Sequence, residues 1–259
     1  MGSASREALA TAKAALARPS ERMGEELLLA SRAIAGSAQL RSVLADPGVP
    51  EADKGRILSR IFAAFDAGTI KMLGTLTAER WSRGSEFVAG VEELGLRALA
   101  ASAPAGVNIE RELFTFETAV RSNAELELAV SSKLGDPESK VTLVNRLLTG
   151  ASNATRIIVA HVVRLPRGRR IGETLRTTAG IVADQAGLGI ATVRTARPLS
   201  AQQLTRLEQA LSVRYGRKLS INEVVDETLV GGVRISIGDD VIDGSVATRL
   251  ADLRLQLVG

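Results

Sequence analysis

His161 is the only histidine in a 259-residue chain that has no cysteine, and together these facts close off most side-chain chemistry. A thiol nucleophile, a disulfide framework and a nitrogen–sulfur metal cage are excluded. A serine–histidine–aspartate relay needs an imidazole exposed in a cleft. His161 instead lies within Ile-Ile-Val-Ala-His-Val-Val, and reads as a core or helix-surface residue. Asp239, Asp240 and Asp243 could gather around calcium or magnesium. They lack the spacing and closing Glu of a twelve-residue calcium loop, and turn chemistry accounts for Gly238-Asp239 without a metal. Ala186-Gly187-Leu188-Gly189 is too short for a dinucleotide fingerprint, and no Gly-Lys-Ser or Gly-Lys-Thr phosphate loop occurs. No cofactor and no nucleotide site are expected.

The densest basic cluster is Leu165-Pro166-Arg167-Gly168-Arg169-Arg170. Arg167, Arg169 and Arg170 could grip phosphates, which makes a basic nucleic-acid-binding protein the alternative reading. The isoelectric point of about 9.8 fits that reading. Against it, 33 basic residues are interspersed with 29 acidic ones, and no aromatics lie near the cluster for base stacking. A solvated interhelical loop is the simpler account. Trp81 and Tyr215 are lone aromatics, and Trp81 is placed to pack a bundle end. The strongest apolar run, 157–163, falls far short of the roughly 20 residues that span a bilayer. Residues 1–22 carry Glu7 and Glu21, and read as an ordinary helix rather than a targeting segment.

The elements that position these residues are mostly helical. Apolar spacing predicts helices at 5–17, 21–36, 38–45, 51–65, 69–81 and 85–102, then at 109–122, 124–134, 138–148, 154–164 and 172–185. Asp46-Pro47-Gly48-Val49-Pro50 and Ala103-Pro104-Ala105-Gly106 are breaks. The second helical set repeats the first. Lys54 recurs as Lys140, Arg60 as Arg146 and Thr69 as Thr155, and Leu27 recurs as Leu113, all at an offset of 86 residues. Such an offset reads as a duplicated helical unit. The second unit lacks a counterpart of helix 5–17, so helix 85–102 is expected to serve both.

From about Gly187 the pattern changes to period two. Strands are expected at 189–196, 218–222, 233–237 and 241–243. Glu223 falls on the apolar face of its strand by parity, so that strand is expected to end or bulge there. Ser200 and Gln203 have capping-box spacing before Leu204, Leu207 and Leu211. Ser245 is placed to cap a last helix that carries Val246, Leu250, Leu253 and Leu257 on one stripe. The expected fold is mostly α with a small α+β C-terminal domain. It comprises a first helical bundle at 1–105, a second at 106–186 and the α+β domain at 187–259.

The ordered string Arg197-Pro198-Leu199-Ser200, helix, Leu219 strand, Asp226, Gly231-Gly232 hairpin, Gly238-Asp239 and Val241-Ile242-Asp243-Gly244-Ser245 resembles the C-terminal domain of the delta subunit family of F-type ATP synthases. That family is related to the oligomycin sensitivity conferral protein. The resemblance implies a non-catalytic stator subunit of the peripheral stalk, serving ATP synthesis and proton transport. It would sit peripherally on the cytoplasmic face of a bacterial membrane. Its implied partners are the N-terminal helices of the alpha subunits, at the top of the catalytic head, and the stalk b subunits. One helical bundle is usual in the family, so the tandem set departs from its pattern.

In the family the alpha-binding groove lies between the first and fifth bundle helices. Carried onto this chain, that nominates Leu9, Ala12, Leu16, Leu73, Leu76 and Thr77, residues that would serve equally well as bundle core. For the stalk contact the nominated residues are Leu250, Leu253 and Leu257, with packing against the neighbouring strands as the competing use.

Overall fold

The computed structural model describes residues 1–132, 135–166, 170–238, 240–246 and 248. The chain divides into two compact units, Met1–Val182 and Ala183–Gly259.

The first unit is helical throughout. Its first set comprises α1 (Ser3–Ala14), α2 (Glu21–Gly36), α3 (Ala38–Ala45), α4 (Glu51–Ile61), α5 (Ala67–Ala78) and α6 (Gly84–Ser102). The second comprises α7 (Ile109–Ser122), α8 (Ala124–Ser131), α9 (Pro137–Leu147), α10 (Asn153–Arg164) and α11 (Ile171–Gln185). Short polar side chains start many of these helices by accepting a free first-turn N–H. Ser20 accepts from Met23 and Ser37 from Leu40. In the second set Asn123 accepts from Leu126, Asp136 from Ser139 and Ser152 from Thr155. Helices α3, α4 and α5 reappear as α8, α9 and α10 with both ends displaced by 86 residues, for example 38 to 124 and 78 to 164.

Helices α2 and α6 form the axis of the first set. They cross where neither helix carries a side chain. A Cβ on Gly24 would stand 2.6 Å from Leu99, and one on Gly95 would stand 2.9 Å from Leu28. The backbones therefore approach closely only because both residues are glycine. Leu27, Ile34, Leu58, Leu73, Leu76, Phe87 and Leu94 fill the shared core. Helix α6 packs on α1, α2, α3 and α5, and also on α10 of the second set. Leu113, Val144, Ile158 and Leu175 are fully buried in α7, α9, α10 and α11.

The second unit is a four-stranded sheet of order β2-β1-β3-β4, built from β1 (Gly189–Thr195), β2 (Leu219–Val225), β3 (Val233–Ile237) and β4 (Asp240–Asp243). Helix α12 (Ala201–Tyr215) connects the parallel pair β1 and β2. Its Leu207 and Leu211 pack with Ala191, Val193, Leu219, Ile235 and Ile237. The capping box expected at Ser200 is formed in both directions.

The expected break at Glu223 is not. β2 runs on to Val225 because β1 pairs with it residue for residue as far as Thr195↔Val225. Glu223 is tolerated on its face because its carboxylate accepts the Leu199 N–H at 2.6 Å. It thereby satisfies a backbone donor just before α12.

Candidate functional site

Helices α1 and α5 lie side by side, so the elements nominated for a helix-binding groove are brought together. Two anchors fix α1. The Glu86 carboxylate, at the start of α6, accepts from the Gly2 N–H at 3.2 Å and from Ser5 Oγ at 2.6 Å. Those bonds, Ser5 first, hold its pKa below the ordinary range. Near the other end, Lys13 pairs with Glu93 at 2.8 Å. Helix α5 is tied down at its end by Lys54, whose ammonium donates to the Thr77 carbonyl at 2.8 Å. Carbonyls in the last turn of a helix have no intrahelical partner, and Lys54 supplies one from inside the bundle. Burial pushes its pKa down.

The nominated side chains themselves mostly turn inward. Leu9, Ala12, Leu73 and Leu76 belong to the buried core cluster, Leu16 packs partly against it, and Thr77 is 3 % exposed. They form the floor of the α1–α5 seam. The exposed residues of α1 include Arg6 and Glu7 as well as the small Ala10, Thr11 and Ala14, and Lys71 and Ala78 are exposed on α5.

The corresponding helix of the second set is placed differently. Helix α10 packs against α2 and α6 as well as α7 and α9, and Ala154, Thr155, Ile158, Val159, Ala160, His161, Val162 and Val163 are all buried. His161 is 1 % exposed. Its Nδ1 lies 2.9 Å from Arg32 Nη1 and its Nε2 lies 2.7 Å from Glu92 Oε1. A guanidinium only donates, so Nδ1 accepts from Arg32 and the proton resides on Nε2, which donates to Glu92. This imidazole joins α10 to α2 and α6. Trp81 is 6 % exposed, donates from Nε1 to the Leu76 carbonyl at 2.8 Å and meets Phe87 edge-on, so it packs the bundle end.

Leu250, Leu253, Leu257 and Asp239 of the second unit lie outside the described residues, as do Arg167 and Arg169 of the first. Arg170 is exposed beside the start of α11. Asp240 is exposed at the start of β4, and the Asp243 carboxylate accepts the Ser245 N–H at 3.0 Å. Ser245 Oγ accepts the Thr248 N–H at 3.3 Å, as its sequence position predicts. Among the described residues, no three histidine, aspartate or glutamate side chains converge as a metal site would require. No described helix is long and apolar enough to cross a membrane.

One pair of site-building residues was missed by the motif search. The Glu26 carboxylate accepts from the Asp66 N–H at 3.0 Å and from Thr69 Oγ1 at 2.6 Å. Glu112 accepts from the Ser152 N–H at 3.1 Å and from Thr155 Oγ1. Glu26 thereby anchors the start of α5, and Glu112 the start of α10. The signal was available, since Glu26 and Glu112 obey the same offset of 86.

A family model described as "ATP synthase delta (OSCP) subunit" matches residues 96–257. The ATP synthase subunit delta of Leifsonia xyli is 48 % identical over the whole of both chains. That of Streptomyces avermitilis is 35 % identical over 98 % of this chain and 97 % of its own. Both alignments extend through the first helical set, which precedes most of the family-model match, so that set is shared with these relatives. The chain belongs to the ATP synthase delta (OSCP) subunit family.

Proposed function

We propose that this chain is a non-catalytic peripheral-stalk subunit that joins the catalytic head of an F-type ATP synthase to the stalk and resists rotor torque. On this reading the α1–α5 seam receives an N-terminal helix of an alpha subunit, over Leu9, Ala12, Leu16, Leu73, Leu76 and Thr77. The last helix, through Leu250, Leu253 and Leu257, meets the b helices. The complex would hold the chain peripherally at the cytoplasmic face of the membrane. Nothing favours the nucleic-acid alternative: among the described residues only Arg170 of that cluster is seen, exposed before α11, and the relatives carry the name of an ATP synthase subunit.

The observation that carries the choice of helical set is the contrast between α5 and α10. Helix α10 has eight buried residues, and only Asn153 on it is exposed. Helix α5 has five, and keeps a surface open beside α1. The duplication at 106–186 is then a spacer built from the same bundle, with α2 and α6 of the first set packed against its α10.

Calorimetric titration of the full chain with a synthetic N-terminal alpha-subunit peptide tests this. Saturable binding is expected, weakened at least tenfold by Thr11→Glu on the outer face of α1 and unchanged by Thr177→Glu on α11. Binding indifferent to Thr11→Glu, or no binding by the folded chain, would remove the assignment.

A further inference from the structure

A cavity of about 400 Å³ opens where the two helical sets meet, between α2, α9 and α10. Arg32, Arg156 and Arg164 line it together with Asn145, Asn153 and Glu25. The three guanidiniums are in different states. Arg164 is committed to Glu138 through two bonds of 2.8 and 2.7 Å. Arg32 donates to His161 Nδ1 and makes no ion pair among the described residues. Arg156 reaches Asn153 Oδ1 only at 3.4 Å, and its Nε is buried without any hydrogen-bond partner.

A guanidinium has five N–H donors and no acceptor. Leaving such a donor dry and unpaired is costly, so this corner of the molecule is short of acceptors. It is also short of negative charge. Glu25 is the only acidic residue in the lining, and Glu21 nearby already accepts from the Asn153 amide at 2.5 Å. Burial, and then the charge of Arg164, push the Arg32 pKa down.

We propose that this junction is an anion site that takes a phosphate group, held by Arg32 from α2 and Arg156 from α10. The choice of phosphate follows from valence and shape. Planar forks from two helices present more donors than one carboxylate can accept, whereas a tetrahedral oxyanion has acceptors for both forks at once. The volume lies within the range of small-molecule pockets, so the phosphate can be free or part of a nucleotide. The anion joins the first helical set to the second and stabilises the folded chain by mass action. This site is independent of the stalk assignment.

The test is titration of the full chain with inorganic phosphate, pyrophosphate and adenosine diphosphate at constant ionic strength, read by calorimetry and by thermal unfolding. Saturable binding and a raised unfolding temperature are expected. Arg156→Gln should weaken binding at least tenfold, and Arg197→Gln in the other unit should leave it unchanged. Arg32→Gln should do the same as Arg156→Gln. If loss of its bond to His161 prevents folding, Arg156→Gln carries the test alone, since Arg156 makes one weak bond. Competition between phosphate and adenosine diphosphate supports a site for the shared group. Saturation by one of them alone supports it with that source. No saturation by any of the three, or binding that survives Arg156→Gln, overturns the proposal.

Discussion

Glu26 and Glu112, 86 residues apart, perform the same task in the two helical sets: each carboxylate accepts the N-cap backbone N–H and a threonine hydroxyl at the start of a later helix, α5 or α10. Such bonds to a charged acceptor contribute about 1.5–3 kcal/mol each. With two such bonds lost, Glu26→Ala and Glu112→Ala should each lower stability by about 3 kcal/mol or more, measured as a shift of the urea midpoint. Equal midpoints in wild type and variants would show that neither anchor matters.

The same carboxylate predicts a pH dependence. Burial raises the Glu26 pKa, but the bonds from Thr69, Arg22 and the Asp66 N–H outweigh it, so the group titrates below its ordinary value. A carboxylate depressed in the folded state stabilises fully above its unfolded pKa of about 4.3. That contribution is lost as pH falls through the folded value. Between about pH 5 and pH 3, wild type should therefore lose more stability than Glu26→Gln, with denaturation midpoints taken at each pH. Parallel losses would contradict the assignment.

Gly90 faces the Trp81 ring so closely that a Cβ would stand 2.2 Å from it. Gly90→Ala should displace the indole from its bond to the Leu76 carbonyl and cost about 1–3 kcal/mol, the range for overpacked cores. Trp81 is the only tryptophan, so its fluorescence reports the change directly. A red shift with quenching differences is expected, and an unchanged spectrum would mean that α6 moves instead.

In the second unit Gly232 has φ 81° and a Cβ there would stand 2.4 Å from the Gly244 carbonyl oxygen. Both the conformation and the space require glycine. Gly232→Ala should loosen the β3–β4 hairpin and leave the helical unit intact. Hydrogen exchange would show lost protection confined to the sheet. Loss spread through α1–α6 would count against two separately compact units.

His161 should carry its proton on Nε2, with Nδ1 bare. Nitrogen-15 correlation of the imidazole would show one pyridine-like signal, at Nδ1, and Arg32→Gln should perturb that signal more than the other. A protonated Nδ1 would be incompatible with the bond from Arg32.

Local rules were legible wherever a few neighbouring residues decide the outcome. The Ser200–Gln203 box and the Ser245 cap formed as expected, because each needs only a side chain three residues from an amide. Glu223 was misread for the opposite reason. Strand parity made it look like a terminator, whereas its partners Leu199 and Thr195 come from another part of the chain. The stripe of Leu9, Ala12, Leu73 and Leu76 was legible as apolar, but a leucine facing a core and a leucine facing a partner helix have the same spacing. Only the packing of α1 on α5 separated floor from outer surface.

By itself the sequence determined the order of helices and strands, the repeat at 86 residues and the β3–β4 hairpin, because periodicity, caps and glycine conformations act over a few residues. It also limited the chemistry, since one histidine and no cysteine exclude whole classes of site. Tertiary structure alone decided that α10 is covered while its counterpart α5 stays open, and that Arg32, His161 and Glu92 meet across 129 and 69 residues. Burial is a property of what packs against a helix, and no residue of α5 or α10 encodes which neighbour will arrive.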